Sequence, residues 1–136
     1  MKISTKGRYG LRALIDLALH SRGTCVSLSD ISARQELSLN YLESIFAYLK
    51  KSGLVIGVAG AQGGYLLAKP AEQITLLEVL TALEGDLSVY DHIGAEPPIR
   101  AFLNRNVWDA IDRSITDVLK NTSLADLLEE LHTDAT

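Results

Sequence analysis

Apolar residues recur at helical spacing in three short blocks at the start of the chain. After Ser4 and Thr5, either of which can cap, Leu11, Leu14, Ile15 and Ala18 share one face at i, i+3, i+4 and i+7, and the pattern stops near Ser21 to Gly23. Ser27 opens a second, shorter helix that turns Ile31 and Ala33 inward before the polar break Gln35-Glu36-Leu37. Ser38 caps a third, in which Tyr41 or Leu42, Ile45, Phe46 and Leu49 form the apolar stripe and Gly53 is a natural stop. Two short helices joined by a tight turn make the helix-turn-helix pattern.

The next segment makes the pattern specific. Leu54 to Val58 and Tyr65 to Ala68 read as strands around a turn over 59–64, a β-hairpin directly after the recognition helix, and that order is a winged helix. Ile74-Thr75 opens a fourth helix with Leu76, Leu77, Val79, Leu80 and Leu83, ending at Glu84-Gly85. Residues 86–98 are irregular, acidic and closed by Pro97-Pro98. Beyond them a wide stripe predicts one long helix to about Asn121, with Ile99, Phe102, Trp108, Ile111, Ile115 and Val118 on its apolar face. Thr122-Ser123 caps a last helix, Leu124 to Leu131, and 132–136 is expected to fray.

The expected fold class is therefore mainly α with a small β-hairpin wing: a winged helix-turn-helix head plus a long dimerisation helix. Residues 1–85 form the DNA-binding domain, 86–98 a linker and 99–136 a helical dimerisation region. A helix apolar over a full face, attached to a head this small, needs a second copy of itself.

Charge is unevenly distributed along the chain. The 136 residues carry a net charge of −4, which by itself argues against a polyanion partner. Counted by position, residues 1–70 hold nine Lys/Arg and four Asp/Glu, whereas 71–136 hold four and thirteen. A basic head on an acidic tail suits nucleic acid at the head alone. Cys25 is the single cysteine, so one chain offers no disulfide and no cysteine-based metal site, and a reducing, cytoplasmic setting fits. The only long uncharged stretch, Ser52 to Ala68, is broken by five glycines, which excludes a membrane span.

Candidate chemistry sits at the start of the third helix. That end of a recognition helix enters the major groove, where short polar side chains meet base edges. Ser38, Asn40, Tyr41, Glu43 and Ser44 supply them: Asn pairs with adenine, and Glu accepts from a cytosine amine. A helix cap with a solvated face is the competing reading. Lys2, Thr5, Lys6 and Arg8 suit phosphate clamping, and Lys50 either joins them or only favours the helix dipole. Cys25 lies near Arg22 and a helix N-terminus, making it a candidate redox sensor, with a small core-filling residue as the alternative. His92 reads as a surface histidine, and no metal site is expected. The chain has no Ser/His/Asp order, no phosphate loop and no metal-spaced His pair, so an enzyme is not expected.

Together the opening Met1-Lys2-Ile3-Ser4-Thr5-Lys6-Gly7-Arg8-Tyr9-Gly10, the run Ser38-Leu39-Asn40-Tyr41-Leu42-Glu43, the wing end Gly63-Gly64-Tyr65-Leu66-Leu67 and Leu83-Glu84-Gly85 closely resemble the Rrf-two family of bacterial winged-helix repressors. Among its IscR, NsrR and CymR branches, Glu96-Pro97-Pro98, Trp108 and Asn121-Thr122-Ser123-Leu124 are most similar to CymR, the cysteine-metabolism repressors. The resemblance implies a homodimer on an imperfect palindrome of double-stranded DNA, recognition helices in successive major grooves, wings in the flanking minor grooves, and a long helix at the dimer contact. The CymR branch further implies a cysteine synthase-like protein partner, although its members end in an aromatic stretch closed by Ile where this sequence ends Ala135-Thr136.

Two departures qualify the picture. Cluster-binding members carry three cysteines after the fourth helix, and Ser88 to Arg100 holds none, so no cofactor is expected. Many members place Arg before the tip glycine of the wing, and this chain has Ala59-Gly60, leaving Gly60 as the candidate minor-groove contact. The expected function is a dimeric DNA-binding repressor without an iron–sulfur cluster. The alternative is a regulator-like protein-interaction module with weak or lost DNA binding.

Overall fold

A computed structural model of the chain describes residues 2–134. Helices α1 (Thr5–His20), α2 (Leu28–Gln35) and α3 (Leu39–Lys51) are followed by the antiparallel hairpin β1 (Val55–Val58) and β2 (Gly64–Leu67). A 3-10 turn (Ala71–Gln73) leads into α4 (Leu76–Glu84). The second half holds α5 (Pro98–Leu103), a π-helical turn (Asn104–Trp108), α6 (Asp109–Lys120) and α7 (Leu124–Asp134).

The core lies where α1, α3 and α4 cross. Leu42, Ile45, Phe46 and Leu49 of α3 are fully buried, as the apolar stripe predicts. On α1 the buried face is Gly7, Gly10, Ala13, Leu14 and Leu17, whereas Leu11, Ile15 and Ala18 are only half-buried. The reason is helix approach: a Cβ on Gly10 would stand 2.4 Å from the Leu83 side chain, so α4 packs over the small residues. Ala33, expected inward, is exposed, because two residues from Ile31 is about 200° around a helix.

The hairpin pairs Val55 with Leu67 through Val58 with Gly64, and the Val26–Tyr65 bridge extends it. Val26 and Tyr65 exchange amide-to-carbonyl bonds of 2.9 and 2.8 Å. Gly64 permits this, since a Cβ there would meet the Val26 carbonyl oxygen at 2.3 Å. The Tyr65 ring stands 4.9 Å from that of Phe46, which ties the wing to α3.

α4 opens with a capping box in which Thr75 and Glu78 bond reciprocally. Glu78 is held below the ordinary carboxylate value, chiefly by the hydrogen bond from Lys69 at 2.6 Å. From Pro98 to Lys120 the backbone stays helical, but the π turn interrupts the expected regular helix. Asn104 in that turn is buried and donates to Glu96 Oε1 at 3.0 Å. The sequence reading assigns α7 to the region beyond the head. In the structure Leu124 is fully buried in the same core as α1 and α3, and its amide donates to the Ile74 carbonyl at 2.7 Å. His132, Thr133 and Asp134, expected to fray, are helical, while Ala135 and Thr136 lie outside the described residues.

The 86–98 segment is strapped to α6. Asp112 accepts from the Ser88 hydroxyl (2.7 Å) and the Val89 amide (2.8 Å), and Asp109 from the Tyr90 hydroxyl (2.6 Å). That bond, together with partial burial and nearby carboxylates, pushes the Tyr90 phenol up to about 12. His92 is exposed, stacks on Tyr90 at 4.0 Å and meets Ser88 Oγ at 3.0 Å, an arrangement of surface groups.

Candidate nucleic-acid interface

The first turn of α3 is presented by its cap. Ser38 accepts from the Tyr41 amide at 3.3 Å, and Leu37 and Leu42 lie in the core on either side, stapling the chain's entry. Asn40, Glu43 and Ser44 are then exposed on one side of the helix. Tyr41 is half-buried: its ring meets the edge of Tyr9 at 6.0 Å, and its hydroxyl lies 3.2 Å from that of Thr5.

The structure brings the N-terminus of α1 against this helix. Thr5 touches Tyr41, and the Lys6 ammonium sits 4.1 Å over the Tyr48 ring, a cation–π contact that aims it along α3. Arg8 and Lys2 are exposed. Lys50 stands apart, about 18 Å from Ser38 along the helix at ~1.5 Å per residue. It lines, with Gly57 to Gly60 and Gly63 to Tyr65, an open cleft of about 430 Å³ between α3 and the wing. Gly60, at the wing tip, has φ 108°. Tyr48 and Leu39 escape sequence reasoning; Tyr48 follows Tyr41 by seven residues, the spacing of one helix face.

α2 is fixed to α1 by a buried carboxylate. Asp16, 1% exposed, accepts from Arg34 Nη2 at 2.8 Å, Arg34 Nε at 3.0 Å and Gln35 Nε2 at 2.9 Å. Burial alone raises this carboxyl, but the Arg34 and Gln35 hydrogen bonds and the Arg34 charge outweigh it and hold it below the ordinary value. Arg12 donates to the Gln35 carbonyl and lies 5.4 Å from the Tyr9 ring. The turn of the helix-turn-helix is thereby locked to the helix that carries Lys6 and Arg8.

A family model described as an iron-dependent transcriptional regulator, Rrf2, matches residues 3–130. The chain belongs to the Rrf2 family. Its similarity to the regulator IscR of Erwinia tasmaniensis is 41% identity over 130 residues, covering 94% of this chain and 79% of that protein. The fold is similar to CymR, the global cysteine regulator of B. subtilis, with TM-score 0.82, 37% identity, and 96% and 98% of the two chains covered. The oxidised form of Staphylococcus aureus CymR superposes with TM-score 0.76 at 41% identity, covering 95% and 97%. The Rrf2 chain is thus a winged-helix transcriptional regulator and not an enzyme.

The iron in that family description needs donors. Iron–sulfur clusters are held mainly by several cysteine thiolates, with other side chains replacing some of them in certain centres. This Rrf2 chain has one cysteine, and its thiol donates to the Gln62 carbonyl in the wing loop at 3.1 Å. Among the described residues no group of three or more His, Cys, Asp or Glu side chains converges as a metal site. The residues present do not fit a cysteine-ligated cluster.

Of the expected dimer residues, Ile99, Phe102, Trp108, Ile111 and Val118 are exposed and Ile115 is half-buried. No helix among the described residues is long and apolar enough to cross a membrane. The C-terminal residues compared with the cysteine synthase-binding branch, Ala135 and Thr136, lie outside the described residues.

Proposed function

We propose that this Rrf2 regulator is a cytoplasmic repressor that binds a palindromic promoter operator as a homodimer and works without an iron–sulfur cluster. The observation that carries the reading is the exposed first turn of α3, where Ser38, Asn40, Glu43 and Ser44 stand clear of the core and Tyr41 meets Thr5 at the start of the basic α1 segment. In the major groove Asn40 pairs with adenine and Glu43 with a cytosine amine, while Lys2, Lys6 and Arg8 hold phosphates. The apolar face of α5 and α6 meets its copy in the partner, spacing the two recognition helices for successive grooves.

Cys25 serves as a redox sensor in this reading. Oxidation of the Cys25 thiol by a peroxide to the sulfenic acid, with loss of water or an alcohol, replaces the S–H that donates to the Gln62 carbonyl by a bulkier S–OH and shifts the wing loop. S. aureus CymR is likewise known in an oxidised form.

The uncharged wing, Ser52 to Ala68, favours a second reading as a protein-interaction module. Selection of bound duplexes from a random pool at two salt concentrations decides between them. A palindromic consensus is expected; no preference for any duplex over bulk DNA overturns the repressor reading.

A further inference from the structure

Leu39 is the one large aliphatic residue of α3 without a structural task. Leu42, Ile45 and Leu49 are fully buried, whereas Leu39 is 40% exposed and is not part of the head's core. The start of the helix does not need it: Ser38 makes the cap bond, and Leu37 with Leu42 makes the staple. It occupies the first helical position, between exposed Ser38 and Asn40. Since every Cα–Cβ bond of a helix tilts toward its N-terminus, a side chain there projects past the helix end. Whatever faces that end meets Leu39 along with Asn40.

Burial of an exposed leucine is favourable only against an apolar group. Base-pair edges in the major groove offer one such group, the C5-methyl of thymine. We infer that Leu39 is a specificity-determining residue that packs on a thymine methyl in each half-site. The inference rests on the DNA reading proposed above. It adds an apolar contact to a turn whose other side chains read only hydrogen-bonding groups.

The test uses the full chain and the duplex that it enriches from a random pool. Each thymine is replaced in turn by uracil, which removes the methyl and leaves base pairing unchanged. Binding by the unmodified protein is expected to fall about fourfold per contacted methyl, at one symmetric pair of positions. For Leu39→Ala and Leu39→Gln the same substitution should change binding less than about twofold, with melting temperatures unchanged because the side chain lies outside the core. An enriched duplex with no uracil penalty, or a penalty undiminished in both variants, overturns the inference alone. A pool with no enriched duplex overturns the DNA reading and this inference with it.

Discussion

Glu84 Oε1 lies 2.7 Å from the hydroxyl of Ser4, eighty residues away in the chain. The same oxygen accepts from the Ser4 amide at 2.9 Å and the Gly7 amide at 3.0 Å. α1 has no side-chain cap bond from Ser4 and no acidic residue in its first turn, so a carboxylate from the end of α4 satisfies its free amides and offsets its dipole. Glu84→Ala should therefore cost about 1–2 kcal/mol, the worth of a helix cap. Gly7→Ala should also destabilise, although alanine normally improves a helix by about 1 kcal/mol, because its Cβ would stand 2.2 Å from Oε1. In the Glu84→Ala background the loss from Gly7→Ala should shrink, leaving only the Ile3 side chain, 3.0 Å from that Cβ, to give way. Urea unfolding of the four proteins checks this; additive losses would refute the cap.

Asp16 gives a pH dependence with a definite sign. Its folded value is depressed below the unfolded one, so the stabilisation is fully present above the unfolded value of about 3.9 and is lost as pH falls through the folded value. Asp16→Asn should lose about 1–3 kcal/mol at neutral pH, from hydrogen bonds to a charged group. The gap between the two proteins should close in acid. Thermal unfolding from pH 7 to pH 2 measures it, and a gap that does not narrow would refute the assignment.

The apolar face of α5 and α6 predicts the oligomer. Phe102 is 55% and Val118 64% exposed, and neither belongs to the head's core. Phe102→Glu, Val118→Glu or Trp108→Glu should give monomers in sedimentation velocity while the head keeps its helical circular dichroism. Each large side chain returned to water forfeits on the order of 1.5–3 kcal/mol of association. A dimer unchanged in all three would move the interface elsewhere.

Groove readers and phosphate clamps should separate on one operator. Asn40→Ala and Glu43→Ala should alter the preferred bases by about 1–3 kcal/mol for each base edge they reach. Arg8→Ala should weaken all sequences alike and flatten the salt slope by about one unit. Lys6→Ala should do the same, and it also takes away the ammonium that packs over the Tyr48 ring. Ala59→Arg should tighten binding most where the flanks are A/T-rich, since a narrow minor groove concentrates negative potential. Titrations of base-substituted duplexes at several salt concentrations are the measurement.

Protein purified anaerobically should carry no stoichiometric iron and no visible charge-transfer absorbance. One cysteine per chain cannot supply the thiolate set of a cluster. Iron analysis and an absorption spectrum suffice, and the appearance of both signals would refute the cluster-free reading.

The local elements are legible in the order of residues alone. Ser27 and Ser38 cap where a hydroxyl can reach an amide three residues on, the α3 stripe repeats every three to four residues, and a glycine-rich turn between two short apolar runs marks the hairpin. These signals are local, because caps and periodicity depend on neighbours within a turn or two. The Gly7 and Gly10 face of α1 was illegible: glycine adds nothing to an apolar count, and its value appears only when α4 crosses there. The motifs around Ser4 and Glu84 stood out in the sequence, yet only folding joined an oxygen at one end of the head to amides at the other. Leu124 in the core, Tyr48 under Lys6 and Leu39 left outside were likewise decided by tertiary packing. Burial depends on which surfaces meet, and no spacing within one helix specifies the helix that will cover it.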